Sequence, residues 1–431
     1  MYSHAAKCHL DKLDRIQYEA ARIITGNYKC TVIDNLEAEA HLLPLALRRR
    51  QLALHYFGKA YRVKGHPGQT LYVNFHRHPF YDSRPHALPI AGRTKSIIEE
   101  KDLPIQKLEQ LQMQDNFIEN KSKISYSLVK NKKSYTEIQF QTDYYCLMET
   151  KYNNYTQIFT DGSKTEGKCG SAFVVKAEPP VIVKKRLPTT CSILTAELYA
   201  ILLALRYIQL TESDNFVIFS DSLSALQFLE NNKLDHRIKI TILKLLNTTD
   251  KNIHLEWVPG HANINGNEQA DCAAKEALKN NRIVKLPMSY DEYKTIIKTY
   301  VYDQWQHGWT EKGRCRLKKF KPILGDWKSA YRRNRKEEKI LSRLRTGSCL
   351  FLNQHYFDPT LPVDTCTSCN VVLTTKHILV ECPAINNNRY RIVNYLNQKN
   401  KDLSEENILS DVFPHDLLFK FLKETPYYKK I

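Results

Sequence analysis

Four carboxylates stand out by their type and by where they fall. They are Asp161 in FTDGS, Glu197 in TAELYAILLAL, Asp221 in FSDSLSAL and Asp271 in GNEQADCAAK. Asp161 ends the alternating run YTQIFT and precedes a Gly-Ser turn, and Asp221 ends NFVIFS and precedes a helix. A helix between two such strands lets them lie parallel and adjacent. Both acids then reach the edge where open α/β sheets place ligands. Glu197 shares its helix face with Ile201, Ala204, Leu205 and Ile208, and no basic residue lies three or four places away. A carboxylate on a buried stripe is costly unless it is paired or ligates a metal. Asp271 lies about one turn into the last helix of the segment.

Taken singly, Asp221 reads equally as a helix N-cap, Asp161 as a turn residue and Asp271 as a solvated acid. Taken together, the four make a hard-oxygen cage of the kind that suits Mg²⁺ or Mn²⁺. Two such ions can activate a water and stabilise the leaving oxygen in an in-line displacement at phosphorus. His261, in PGHANINGN, sits behind a Gly and among polar residues, which argues for an exposed, moving loop.

A second constellation lies near the C-terminus: Cys366-x2-Cys369-x7-His377-x4-Cys382. Three thiolates and an imidazole can close a tetrahedral structural Zn²⁺ site, and HILVEC puts His377 and Cys382 one helical turn apart or slightly more. Unligated cysteines in a small helical cap are the alternative.

The elements that must position these groups follow from periodicity. Residues 1–75 read as helical, with Leu13, Ile16, Ala20, Ile23 and Ile24 forming an apolar stripe that stops at Gly26. Residues 76–150 read as a Pro- and Lys-rich linker. Residues 151–283 give three strands in hairpin succession, then helix–strand alternation, which predicts an α/β domain with a mixed sheet. Residues 284–360 form a basic helical region, and 361–431 carry the Cys/His segment and tail.

The 431 residues carry a formal net charge of +18, which points to a polyanionic partner, with nucleic acid ahead of an anionic membrane surface. A solvated Lys-rich surface is the bland alternative. No run approaches ~20 apolar residues, so no membrane span is expected. The N-terminal segment lacks a signal-peptide core. Eleven cysteines, an odd count, suit reduced thiols inside the cell, in nucleus or cytoplasm.

The order TDGS (160–163), TAEL (195–198), SDS (220–222), WVPGH (257–261) and GNEQAD (266–271) resembles the type 1 ribonuclease H family. The resemblance implies a ribonuclease H-like sheet of five strands, three antiparallel followed by two parallel, with flanking helices. It implies that Asp161, Glu197, Asp221 and Asp271 hold two divalent ions. It implies hydrolysis of the RNA strand of an RNA–DNA hybrid, leaving 5′-phosphate and 3′-hydroxyl ends. His261 matches the family's histidine of proton transfer or product release. One departure is visible: ENNKLDHRIK leaves room only for a short turn where bacterial members carry a basic helix that grips the hybrid.

The flanks LDRIQYEAARIITG and LEAEAHLLPLALRRRQLAL, with RLRTG at 343–347 and the Cys/His cluster, resemble the region after the reverse transcriptase core of jockey-like non-LTR retrotransposons. Ser348 stands where many of these read His. No YxDD-type pair occurs, so no polymerase site is expected, and the chain reads as the C-terminal portion of a retroelement protein. Element RNA or target DNA would then be further partners. Two rival readings are an inactive nucleic-acid-binding remnant and an integrase-like enzyme of the same fold class. Oligomeric state is not legible.

Overall fold

The structure, a computed structural model, describes residues 5–76, 78–83, 88–112, 118–129, 135–311, 313, 315–349, 351–352, 354, 358 and 360–431. Parts of the expected N-terminal segment (1–4), linker (77, 84–87, 113–117, 130–134) and basic region (312, 314, 350, 353, 355–357, 359) lie outside the described residues. The chain divides into two units, one of Leu54–Ile297 and one of Met1–Ala53 with Lys298–Ile431.

In the first unit the alternating runs form a six-stranded sheet. Its strands are β1 (Lys123–Ser125), β2 (Thr156–Thr165), β3 (Lys168–Val175), β4 (Val181–Leu187), β5 (Asn215–Ser220) and β6 (Asn252–Trp257), ordered β1-β6-β5-β2-β3-β4. The β2, β3 and β4 strands are antiparallel, while β2, β5, β6 and β1 run parallel. The five expected strands are all present, and β1 extends the parallel edge by one more. Helices α1 (Glu137–Thr150), α2 (Ile193–Ile208), α3 (Leu223–Glu230), α4 (Arg237–Thr248) and α5 (Asn265–Ala277) flank it.

Two helices cover opposite faces, as the two-residue period of a strand requires. Gly162 and its cross-strand partner Ser171 face α2, where Ser171 Oγ donates to Ala196 O at 2.9 Å. Phe159 and Gly170 face α5: a Cβ on Gly170 would meet Ala274 O at 2.5 Å. Phe159 and Phe219 stack with ring centroids 5.0 Å apart under Tyr144 of α1.

Two elements arise inside the segment expected as linker. Helix α1 begins with a capping box, in which Thr136 and Gln139 satisfy each other's backbone N–H groups. Strand β1 pairs with β6, and both new elements are tied down at Glu256, a fully buried acid of β6. Its carboxylate accepts from Ser127 N (2.7 Å), Tyr152 Oη (2.7 Å) and Lys151 Nζ (3.1 Å). A buried carboxylate holds its charge only with such a full set of donors.

One expectation about β2 is corrected. The strand does not end at Asp161 in a Gly-Ser turn. It runs on to Thr165, and the turn comes at Gly167, with φ +76°. The reason is that β3 continues to pair past the acid (Asp161 with Ala172, Thr165 with Lys168), whereas the parallel neighbour β5 stops at Ser220, opposite Thr160.

The second unit is helical. Its first helix, Lys7–Thr25, ends at Gly26 in the left-handed region, as expected. Its apolar stripe does not supply the core, however. Leu13, Ile16, Ile23 and Ile24 are exposed, and Ala21 and Thr25 are the buried residues of this helix. The RLRTG run ends the helix Arg335–Thr346 and is architectural. Arg345, with no exposed surface, donates to Leu409 O (2.9 Å) and Ser329 Oγ (2.7 Å), pairs with Glu39 (3.5 Å) and lies over Trp327. Ser348 is buried against Thr31, so the hydroxyl has a local structural partner. Several cations of the basic run also have internal partners: Arg316 pairs with Glu405 at 2.6 Å, Lys321 Nζ donates to Ala38 O at 2.9 Å, and Arg335 pairs with Glu338 at 2.8 Å. Among the described residues no helix is long and apolar enough to cross a membrane.

Candidate active site and metal centre

The parallel pairing of β2 with β5 sets Thr160 beside Ser220, so Asp161 and Asp221 emerge next to each other. Asp161 lies just past the point where β2 loses its neighbour β5, and it is buried. Glu197 reaches the same point from the second turn of α2. Gly162 makes this possible, because a Cβ there would sit 2.7 Å from Glu197 N and 2.9 Å from Ala196 C. Only a residue without a side chain lets the helix backbone press so closely on the strand. One oxygen each from Asp161, Glu197 and Asp221 all lie within 4.8 Å of one another.

Asp221 is not the cap of α3. That role belongs to Ser222, whose Oγ accepts from Ala225 N at 3.3 Å. The Asp221 carboxylate is instead free to face the cluster. It accepts from Asn267 Nδ2 at 3.4 Å, and Trp257 Nε1 donates to the Asp221 backbone carbonyl at 3.1 Å. Gly260 leaves room for it, since a Cβ there would meet Asp221 Oδ2 at 2.8 Å.

Asp271, on α5, falls in a neighbouring group. Its ligand oxygen lies within 4.8 Å of ligand atoms of His261 and Glu268, and Lys275 Nζ pairs with its carboxylate at 2.6 Å. It still acts on the first group, because its charge raises the pKa of both Asp161 and Asp221. Asn267 and Glu268 escaped the sequence reading. Polar residues in the first turn of a helix read as solvated, and only their place inside GNEQAD could have drawn attention to them.

The electrostatics record how hard it is to keep these acids ionised together. Burial, then the charges of Asp221 and Asp271, push Asp161 up to about 7. Burial, then Asp161 and Asp221, hold Glu197 well above the usual carboxylate range. Burial also raises Asp221, against the lowering effect of its Asn267 hydrogen bond. Glu197 Oε2 is buried without any hydrogen-bond partner. An unpaired, buried carboxylate oxygen facing two more carboxylates is what a hard divalent cation relieves, so the donor set fits Mg²⁺ or Mn²⁺.

His261 is exposed, with φ +57°. Its loop was expected to be mobile, but it has anchors. Gln141 Nε2 of α1 donates to Ala262 O and Asn263 O, each at 3.2 Å, and Asn263 Nδ2 donates to Glu137 Oε2 at 2.8 Å.

In the other unit Cys366, Cys369, His377 and Cys382 converge within 4.8 Å. The CxxC forms a tight knuckle: Cys369 N and Asn370 N both donate to Cys366 O, and Asn370 has φ +53°. His377 begins a π-helical turn, His377–Glu381, closed by Cys382 N donating to His377 O at 2.8 Å. The expected spacing of slightly more than one turn is therefore this wider coil. The sulfurs of Cys366 and Cys369 lie 3.8 Å and 3.7 Å from that of Cys382. Sulfurs at two corners of a regular Zn–S tetrahedron, with bonds of about 2.3 Å, are separated by about 3.8 Å. His377 Nε2 is buried without a partner, while Nδ1 lies 3.9 Å from Glu381 Oε2. An orphaned imidazole nitrogen beside three thiols fits zinc.

Arg389, fully buried, fixes this turn. It donates to Cys382 O (2.7 Å), Ile378 O (3.0 Å) and Asn386 Oδ1 (2.7 Å).

Residues 153–279 match the family model for RNase H. This span contains all four carboxylates and His261, and the chain therefore carries a ribonuclease H domain. The match covers well under half of the 431 residues and leaves β1 and α1 outside it. No curated protein matches the chain.

Proposed function

We propose that this ribonuclease H domain is an active endonuclease that hydrolyses the RNA strand of RNA–DNA hybrids. Asp161, Glu197, Asp221 and Asp271 hold two divalent cations, Mg²⁺ or Mn²⁺, and carry the catalysis. The observation behind this reading is the convergence of Asp161, Glu197 and Asp221, with Glu197 Oε2 left unpartnered in a buried site. Cations bound there supply a nucleophilic water at neutral pH and neutralise the charge that develops on the phosphate.

The chain's own residues do the rest. Asn267 orients the Asp221 carboxylate, and Trp257 holds the Asp221 backbone carbonyl. Asp271, one helix away, is held by Lys275 until the site fills. Water attacks phosphorus in line, the bond to the 3′-oxygen breaks, and the products carry 5′-phosphate and 3′-hydroxyl ends. His261, exposed at the rim, passes a proton to or from the reacting groups or eases product release.

The zinc set supports a structural Zn²⁺ at Cys366, Cys369, His377 and Cys382. The flanking motifs LDRIQYEAARIITG and RLRTG support a derivation from a jockey-like non-LTR retrotransposon protein.

The test is cleavage by the full chain, in Mg²⁺, of a labelled RNA–DNA hybrid beside duplex RNA and duplex DNA. Cleavage of the hybrid's RNA strand alone is expected. Retained hybrid binding with no cut would favour an inactive remnant, and cleavage of duplex DNA would favour an integrase-like enzyme.

A further inference from the structure

The ribonuclease H domain lacks a basic helix between α3 and α4. The chain leaves α3 at Glu230 and enters α4 at Arg237. A cleft of about 350 Å³ opens at this junction, a size in the range of ligand pockets. One wall is a stripe of α2, in which Tyr199 and Arg206 line the cleft. The N-terminus of α4 contributes His236 and Arg237, and Lys285 enters from the segment after α5. Lys285 lies beyond the family match, so the cleft is partly built from this chain's own flank.

Its exposed rim is basic, with Glu292, Asp291 and Asp235 acting on His236. Arg206, Arg237 and Lys285 are all exposed, and none of them forms an ion pair among the described residues. The one acid in the wall, Glu109, is already matched by Arg62 at 3.5 Å and by Arg237 N at 2.9 Å. His236 adds an independent sign of a ligand. It is 4% exposed, lines the cleft, and its Nδ1 has no hydrogen-bond partner. A buried ring nitrogen without a partner costs free energy that a ligand oxygen would recover. His236 is also the residue before α4, and its side chain does not cap that helix. The first N–H of α4 is taken by Glu109 Oε2, so a bound anion would be held by the side chains.

We propose that this cleft binds a phosphodiester of the nucleic-acid backbone, with Arg206, Arg237 and Lys285 as counter-charges and His236 Nδ1 as a hydrogen-bond donor. It takes the place of the absent basic helix as the grip on the hybrid. The α2 helix that carries Glu197 also carries Arg206, nine residues on, about 13–14 Å along the axis. Nine residues are about two and a half turns, so Arg206 projects from the opposite side of α2 to Glu197, and a hybrid that meets both must pass over this helix. The anion site stands on its own observations; only the identity of the phosphate's bearer rests on the nuclease reading.

The test uses the full chain, without divalent metal, in wild-type form, as Arg206→Gln/Arg237→Gln and as His236→Phe. Inorganic phosphate binding is followed by NMR, and hybrid affinity is measured across salt. Wild type should bind phosphate, and both variants should lose at least about tenfold in phosphate affinity. The double variant should also flatten the slope of log K against log salt by about 2, at about 0.9 per lost contact. Unchanged phosphate affinity and unchanged slope would overturn the proposal. Weaker phosphate binding with an unchanged hybrid slope would overturn the backbone assignment. A flattened slope in a chain that cuts no hybrid would uphold the cleft and count against the nuclease reading.

Discussion

Gln141 Nε2 lies 3.2 Å from the backbone carbonyl of Ala262, so a helix outside the RNase H match holds the residue next to His261. The same amide reaches Asn263 O, and Glu137 takes the Asn263 side chain. The loop has two residues at positive φ, His261 and Asn263, and such conformations persist only where their surroundings enforce them. Gln141→Ala should lower kcat on the hybrid by several-fold and leave KM nearly unchanged. Gln141→Glu, which cannot donate to the two carbonyls, should do the same. Steady-state kinetics at fixed Mg²⁺ decide the matter, and wild-type kcat in both variants would show the loop to be set by other contacts.

A second expectation concerns the repulsion stored in the cation-free site. Asp161, pushed up to about 7 by burial and its acidic neighbours, keeps its proton in the fold at pH values where the unfolded chain has released it. Between about pH 4 and pH 7 the folded state therefore binds more protons, and its stability falls as pH rises through that window. Asp161→Asn removes this loss. Without Mg²⁺, the variant should be more stable than wild type at pH 8, by on the order of a few kcal/mol, and about equally stable at pH 4, as read by thermal unfolding. Saturating Mg²⁺ should close the gap by stabilising only the wild type. A variant less stable than wild type at pH 8 would contradict the repulsion.

A third expectation concerns where the folded domain begins. Glu256 has no exposed surface, and its donors all come from residues 127–152. Tyr152→Phe should cost about 1.5–3 kcal/mol, the scale of a hydrogen bond to a charged group. Chemical denaturation of the full chain measures it. A change below about 0.5 kcal/mol would mean that Lys151 and Ser127 suffice.

The contrast between what could be read from the residues and what could not has a physical origin. Glu197 is legible alone, as an acid on an apolar helix face, whereas Asp161 and Asp221, ordinary at a turn and at a helix start, become legible only through their convergence with it. Thr156–Thr165 was read too short, because whether a strand continues past DGS depends on its partner β3 rather than on its own composition. Strand β1 has three residues and no pattern of its own, and its placement depends on β6 and Glu256, more than 100 residues later. Helix α1 was lost among polar neighbours, although its capping box, Thr136 with Gln139, was there to be seen. The stripe Leu13, Ile16, Ile23 and Ile24 shows the opposite failure, since a regular apolar spacing does not say whether a partner exists to bury it.

A fourth expectation concerns the Cys/His set. Arg389 touches none of the four candidate ligands by their side chains, yet it holds the backbone carbonyl of Cys382 and those of the π-helical turn. Loss of such support usually weakens metal binding by about 10–100-fold. Arg389→Lys should release zinc to a chromophoric chelator at correspondingly lower chelator concentration, with all thiols reduced. A wild-type chain that carries no zinc would refute the site, and unaltered release from the variant would refute the role of Arg389.

The most direct measurement of the central claim is the single-turnover rate of RNA-strand cleavage in saturating hybrid and Mg²⁺. It should be made side by side for wild type, Asp161→Asn and His261→Ala. Loss of a cation-holding carboxylate should abolish cutting, whereas loss of the imidazole should slow it by about 100-fold, the low end of the scale of one proton-transfer group. Equal losses in the two variants, or cleavage by Asp161→Asn at the wild-type rate, would contradict the assignment of cation-dependent chemistry to the carboxylate cluster.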